Sequence, residues 1–490
     1  MALAVAVHPR AYHDSVTLMQ VSAALAAAPG VEAAAVVMAT PLNRDYLRDS
    51  GLLDAAAEGA APDDLVIAVR AATAEQAAAA QARALALLSG GARDTAPGAP
   101  QPPRSLTAAR RRLPDASLAL VSVPGPYAAG EARQALGAGL DVFLFSDNVP
   151  VEDEVVLKRL ADERGLLVMG PECGTAILDG VGLGFANRVR RGSVGLVGAS
   201  GTGLQEISVL LHRWDGGVSQ AIGTGGRDLS AAVGGLATRA ALRRLAADPH
   251  TETIGLISKP PSEAVARAAL GWLVAGGKPA VACFLGVDLA ESPPPGVAVA
   301  HTLEETAWRA LGRGGAPPAL APGLSEEAAA AAVRLAPGQR VVAGLFSGGT
   351  LCGEAALVLG DRVPTRFVDL GEAEYTVGRP HPIIDPTLRA QHLLALAADP
   401  AVAVVLLDVV LGYGAHPDPA GALAGPIGEA RALAERGGRY LPVVAYLCGT
   451  DDDPQGRAAQ TATLRQAGAL LAETNAMAAR LAGAIAGGSR

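Results

Sequence analysis

Aromatic residues are scarce in this 490-residue chain, at 3%: six Phe, three Trp and seven Tyr. So few rings argue against base-stacking platforms for single-stranded nucleic acid. Basic charge is short as well: 40 Lys and Arg stand against 48 Asp and Glu, a formal charge of −8. That balance leaves no electrostatic footprint for a phosphate backbone, so no nucleic-acid partner is expected. The four Cys are widely spaced and form no CxxC pair, which excludes a disulfide framework and a thiolate zinc site. No HExxH-type spacing occurs, so no metal site is expected. Long apolar runs are absent too. The best of them, Ala401–Leu411, is interrupted by Asp408 and is too short to span a bilayer, so no membrane partner is expected. The first residues carry neither a basic flank nor a cleavage site, and a cytoplasmic location is expected. What is present is 50% hydrophobic and 18% charged residues, the composition of packed globular cores.

A short β-branched run, a Gly-containing turn and an Ala/Leu/Arg helix repeat along the chain. That alternation predicts an α/β protein with several parallel-sheet domains. Residues 1–88 read as a small α/β domain. Residues 89–104 are a linker dense in Pro and Gly. The pattern resumes over 105–190, 191–313 and, after a connecting segment at 314–338, over 339–490. The last two α/β blocks look like copies. Each opens with a strand and a Gly-rich turn, and RRLAADPHTETI (243–254) parallels LALAADPAVAV (394–404).

Two of the turns can bind anions. In Val197-Gly-Ala-Ser-Gly-Thr-Gly-Leu204 a strand enters and a helix leaves, so Ser200, Gly201, Thr202 and Gly203 present backbone N–H groups and hydroxyls at a helix N-terminus. Ser347, Gly348, Gly349 and Thr350 repeat the arrangement in the second copy. If the copies pack face to face, both turns face one cavity. A third Gly cluster, with Gly225 and Gly226, carries Arg227, a candidate partner for a carboxylate or phosphate. The spacing matches neither GxGxxG nor a Walker loop, so no nucleotide fingerprint is present. An ordinary tight turn remains the alternative for each cluster. Cys173 is a candidate nucleophile or a packed loop thiol. His381, between two prolines, and Arg389 are candidate ligand contacts.

Gly170-Pro-Glu-Cys-Gly-Thr175, Val194-Gly-Leu-Val-Gly-Ala-Ser-Gly-Thr202 and Gly223-Thr-Gly-Gly226 resemble the succinyl-CoA synthetase α-subunit, where GPNC, VGIVSRSGT-type and GIGGD-type stretches stand. The stretch from Arg340 is similar to the C-terminal domain of that enzyme's β-subunit, through Ser347-Gly-Gly-Thr350, Asp399-Pro400 and Tyr446-Leu-Cys-Gly-Thr450. With Met38-Ala-Thr-Pro-Leu-Asn-Arg44 and Phe145-Ser-Asp-Asn-Val-Pro150, the whole chain resembles the FdrA family of α/β fusions. The resemblance implies a Rossmann-like CoA-binding-type domain at 105–190, then two flavodoxin-like ligase-type domains at 191–313 and 339–490. The family's GHAGA loop, whose His is phosphorylated, corresponds to Phe284–Gly296, which contains no His. His301 follows it, at a helix start that Thr302 can cap. No ATP-grasp region has a counterpart.

The resemblance thus implies a subunit of an oxamate carbamoyltransferase-type complex, moving a carbamoyl group between oxalurate and phosphate. Its partners would be the other subunits, and its ligands phosphate or carbamoyl phosphate with oxamate or oxalurate. The alternatives are an acyl-CoA synthetase subunit and a non-catalytic structural or regulatory subunit. The residues fix no cofactor; CoA is the one the resemblance implies.

Overall fold

The structure, a computed structural model, describes residues 1–13, 15–26, 28–90, 103–287, 293–376 and 380–488. Most of the expected linker, and part of the loop matching GHAGA, lie outside them. The chain forms two compact units, one of residues 1–114 with 371–385, the other of residues 115–370 with 386–490.

In the first unit, strands β1 (Ala2–His8), β2 (Val31–Met38) and β3 (Leu65–Ala71) form a sheet of order β1-β3-β2. Both pairings are antiparallel, with Ala4 opposite Val69 and Val36 opposite Ile67. This corrects the expectation of a parallel sheet here. β3 inserts between β1 and β2, and strand order is a tertiary choice that local alternation does not encode. Leu65, Ile67 and Val69 pack against the helices Ser15–Ala26 and Ala74–Gly90, while Val66 and Ala68 face Leu47, Leu52 and Ala57. Burial of both faces makes β3 a nearly continuous apolar run.

The second unit opens with a small parallel sheet of β4 (Leu118–Val121), β5 (Asp141–Leu144) and β6 (Val168–Met169). The hairpin β7 (Thr175–Leu178) and β8 (Val181–Gly184) leads into the first duplicated domain. That domain contributes β9 (Arg191–Ala199), β10 (Val218–Gly223), β11 (Thr253–Ser258), β12 (Ala280–Phe284) and β13 (Val297–Ala300). The second contributes β14 (Val341–Phe346), β15 (Thr365–Asp369), β16 (Val402–Val410), β17 (Val443–Cys448) and β18 (Ala469–Ala472). The orders are β13-β12-β11-β9-β10, extended by β7-β8, and β18-β17-β16-β14-β15. Both are the flavodoxin-like order 2-1-3-4-5, with parallel pairing throughout each set of five. The duplication expected from the sequence is thus repeated strand for strand. In such sheets ligands bind beyond the carboxyl ends of the strands, where the winding reverses. The turns after β9 and β14 lie at those points.

Candidate active site

Ser200 caps the helix Gly201–Arg213, its Oγ accepting from Gly203 N at 3.0 Å. Gly348 stands at the same place before the helix Gly349–Leu359. The two helix starts touch: Ser200 Oγ and Thr350 Oγ1 are 2.5 Å apart, and a Cβ on Gly348 would come within 2.9 Å of Thr202 Cγ2. The two turns therefore meet in direct contact, with buried hydroxyls, where the sequence predicted a cavity between them. Gly201, Thr202 and Gly349 make no backbone N–H bond outside their helices among the described residues. A Cβ on Gly349 would stand 2.7 Å from Lys259 Nζ and 2.2 Å from Asp369 Oδ2. A lysine and an aspartate from neighbouring strand ends thus overhang the second helix start. Lys259 is exposed and makes no ion pair among the described residues.

The second turn already holds an anion. Asp408, fully buried on β16, accepts from Ser347 N at 2.8 Å, Ser347 Oγ at 2.9 Å and Gly348 N at 2.8 Å. Arg389 Nη1 donates to Asp408 Oδ1 at 2.7 Å and to the Asp408 carbonyl. Burial pushes the Asp408 carboxyl up, and the Arg389 guanidinium and the three donors pull against that. Arg389 is itself 2% exposed. It is the counter-charge of Asp408, which corrects its expected role as a ligand contact. Ser347 and Gly348 likewise spend their donors inside the fold.

The first turn lacks this filling. Ile257 lies opposite Gly198 in the β9–β11 ladder, and Leu407 opposite Leu345 in the β14–β16 ladder. Gly198 and Phe346 each precede their N-cap by two residues, so Asp408 occupies the place held by Ile257 in the first copy. An isoleucine side chain offers no acceptor to the amides of Ala199 and Ser200, the residues matching Ser347 and Gly348.

Deeper in the same helix pair are two buried carboxyls, Glu206 and Glu354, each six residues beyond its N-cap. Each reaches into the other copy. Glu354 accepts from Leu303 N at 2.6 Å and from Asn475 Nδ2 at 2.8 Å. Glu206 accepts from Asn475 N at 3.4 Å and from the Tyr446 hydroxyl. Leu303 and Asn475 are the first residues of the corresponding last helices, Leu303–Ala310 and Asn475–Gly487. Burial raises Glu206 to about 7 and Glu354 to about 8.

The remaining candidates lie elsewhere. Cys173 is buried against Thr175 O and Gly223 O, at 3.6 and 3.5 Å, and burial pushes its thiol up to about 12. That is a packed, protonated thiol, not an activated nucleophile. Gly225, at φ +86°, packs so closely on the Pro171 carbonyl that a Cβ would approach its oxygen to 2.5 Å, whereas Gly226 stands in open space. Arg227 pairs with Glu154 at 3.1 Å and donates to Val149 O at 2.9 Å. Glu154 also holds the buried Lys158, which reaches Asp228 at 2.8 Å, and Asp228 accepts from Thr238 N at the start of the helix Leu236–Ala247. Arg227 thus sits at the edge of an internal ion network. His381 belongs to the first unit, where its Nδ1 accepts from Ile383 N at 3.2 Å. Thr302 caps its helix as the sequence suggested, accepting from Glu305 N.

The sequence reading missed Asp408, Lys259, Asp369, Glu206 and Glu354. Asp408 did leave a signal, as the one charge inside a strand that is otherwise an unbroken apolar run. Such a charge is expected to be paired.

The family model described as "AllF, heavy metal-associated domain" matches residues 1–102, "CoA binding domain" matches 189–286 and "CoA-ligase" matches 345–485. Over 512 aligned residues the chain is 42% identical to "Uncharacterized protein YahF" of Escherichia coli (strain K12), covering 97% of each. It is 32% identical over 196 residues to a succinate–CoA ligase [ADP-forming] subunit alpha-2, mitochondrial, of Trichomonas vaginalis, and 31% over 192 residues to the subunit alpha of Aquifex aeolicus (strain VF5). Each alignment covers 38% of this chain and 60% of that subunit. A distant likeness, TM-score 0.33 at 15% identity, covers 80% of the chain and 87% of "dinucleotide forming Acetyl-coenzyme A synthetase 1" of Ca. Korarchaeum cryptofilum. The CoA-ligase and CoA-binding family models and the succinate–CoA ligase relatives support the acyl-CoA-synthetase-like alternative. The carbamoyltransferase expectation finds no support in them.

Among the described residues the heavy-metal match is not accompanied by a metal-ligand cluster. Residues 1–102 contain no Cys, and among the described residues no cluster of three or more His, Cys, Asp or Glu is able to hold a metal ion. Soft metals select thiolates, so this domain does not fit them. Among the described residues no helix is long and apolar enough to cross a membrane.

Proposed function

We propose, from the premise that this chain belongs to the same family as Escherichia coli YahF, that it is the acyl-transfer part of an acyl-CoA-synthetase-type enzyme. It would move an acyl group between phosphate and the thiol of CoA. The observation that carries this reading is the meeting of two helix N-termini across the duplicated domains, through Ser200 and Thr350. Helix starts stabilise anions through free N–H groups and the macrodipole. Here one turn is neutralised by Asp408 and the other is not.

In the forward direction the thiol sulfur attacks the acyl carbon of an acyl phosphate. A C–S bond forms, the C–O bond to phosphate breaks, and the thiol proton ends on the departing phosphate. The Gly201 and Thr202 amides would hold that phosphate, with Lys259 matching charge that helix dipoles leave over. Aligning and stabilising such a leaving group needs no side-chain nucleophile. With no His in Phe284–Gly296, the chain makes no phosphoenzyme of its own at that loop.

The test supplies the purified chain with acetyl phosphate and CoA, without nucleotide. Acetyl-CoA should accumulate. Carbamoyl transfer from carbamoyl phosphate to oxamate, with no acetyl-CoA formed, would replace this reading with the carbamoyltransferase one.

A further inference from the structure

We infer that a second small-molecule site, for a carboxylate or phosphate oxyanion, lies in the cleft where the end of the helix Gly201–Arg213 meets the loop after β17. The cleft has a volume of about 380 Å³ and draws Arg190, His212, Arg213 and Trp214 from the first duplicated domain, and Thr450, Asp451, Arg457 and Glu473 from the second. Clefts between domains with convergent polar groups are the usual place for small ligands. This site is separate from the paired turns, which involve the other end of the same helix.

The cleft is short of negative charge where its arginines meet. Arg213 Nη2 and Arg457 Nη2 both converge on one oxygen, Glu473 Oε2, the latter at 2.9 Å. Glu473 is 55% exposed, so solvent weakens what this single carboxylate contributes. A guanidinium prefers to meet an oxyanion with two parallel N–H groups. Arg457 uses one: its Nε is buried and has no acceptor. Burial, and after it the Arg213 charge, presses the Arg457 pKa down. The other acids nearby are committed or solvated. Asp451 accepts from Ala458 N at 2.7 Å. Asp452 stands 3.8 Å from His212 Nε2, and Asp215 stands 3.2 Å from Arg190; both are largely exposed. His212 accepts from Arg190 N through Nδ1, and burial pushes its pKa below the ordinary histidine value. An incoming oxyanion completes the Arg457 fork. Trp214, held edge-on by Trp308 at 5.5 Å, forms a fixed wall beside it.

The experiment titrates the full chain calorimetrically with inorganic phosphate and, separately, with succinate; the two arms decide between phosphate and carboxylate. In the Ile257→Asp background, Arg457→Gln should weaken the preferred probe at least about tenfold, equivalent to about 1.4 kcal/mol. Ile257→Asp, which closes the first turn, should leave this binding in place. Quenching of Trp214 fluorescence, assigned with Trp214→Phe, gives the same answer if Arg457→Gln fails to fold. Binding that survives Arg457→Gln in the Ile257→Asp background, binding lost in Ile257→Asp alone, or no binding of either probe would each overturn the inference.

Discussion

The turns after β9 and β14 have the same backbone plan and different occupants. In the second, the amides of Ser347 and Gly348 close on Asp408, which Arg389 neutralises from behind. In the first, the matching strand position is Ile257. In one copy the turn is closed on an internal acid and belongs to the core, and in the other the matching position holds no acid. The lesson is that a Gly-rich strand-to-helix turn states a capacity. Whether it serves a ligand is decided by one side chain on the neighbouring strand, far away in sequence.

The sharpest way to break this comparison is to strip the second turn of its counter-charge. Arg389→Met should leave Asp408 buried and unpaired, at a cost of about 3–5 kcal/mol. Chemical denaturation reads this directly. Arg227→Ala should cost at most about 1 kcal/mol, because its guanidinium is partly exposed and Glu154 keeps Lys158. Equal losses for the two arginines would mean that Arg389 is not the internal counter-ion described.

The buried glutamates predict a pH dependence shared by both copies. Their carboxyls are raised in the folded chain, Glu206 to about 7 and Glu354 to about 8, so the folded state holds protons that the unfolded state releases. Their contribution is fully present below about pH 4.5 and is lost as pH rises through those values. Urea midpoints should therefore fall between about pH 5 and 8, and Glu354→Gln should flatten part of that fall. A midpoint that climbs across this window in the wild type, with Glu354→Gln unchanged from it, would show that these carboxyls are ionised throughout.

The smallest effect is at the cap. Ser200→Ala removes the acceptor for Gly203 N and the contact with Thr350, and should cost about 1 kcal/mol. Gly348→Ala probes the opposite contact, since its Cβ would press on Thr202. A larger loss there than at Ser200 would show that the close approach of the turns matters more than the cap.

Much of this architecture is legible in the residues. Alternating apolar runs and Gly turns give the two α/β copies, because their central strands are buried on both faces and each turn needs backbone freedom, and the family resemblance implies that they are flavodoxin-like. The order of β1, β2 and β3 is not legible, since it depends on which edges meet after collapse. The site is half legible. Ser200 to Gly203 and Ser347 to Thr350 stand out by composition. The roles of Arg227 and Arg389 do not, because an arginine reads as ligand-seeking until its internal acid is known. Arg227 and Glu154, like Arg389 and Asp408, are separated in sequence and paired in space. Asp408 looked like a flaw in a hydrophobic run, and it is the residue that separates the two turns.

The most direct test places an acid in the first turn. Phosphate binding is measured by calorimetry for Ile257→Asp and for its uncharged counterpart Ile257→Asn, both in an Arg457→Gln background with folding checked by circular dichroism. A carboxylate at 257 should take the place that Asp408 holds in the second copy, and phosphate affinity should fall at least about tenfold while Ile257→Asn keeps most of it. Phosphate bound equally well by a folded Ile257→Asp chain would contradict the account, because the first turn would then not be where the anion sits.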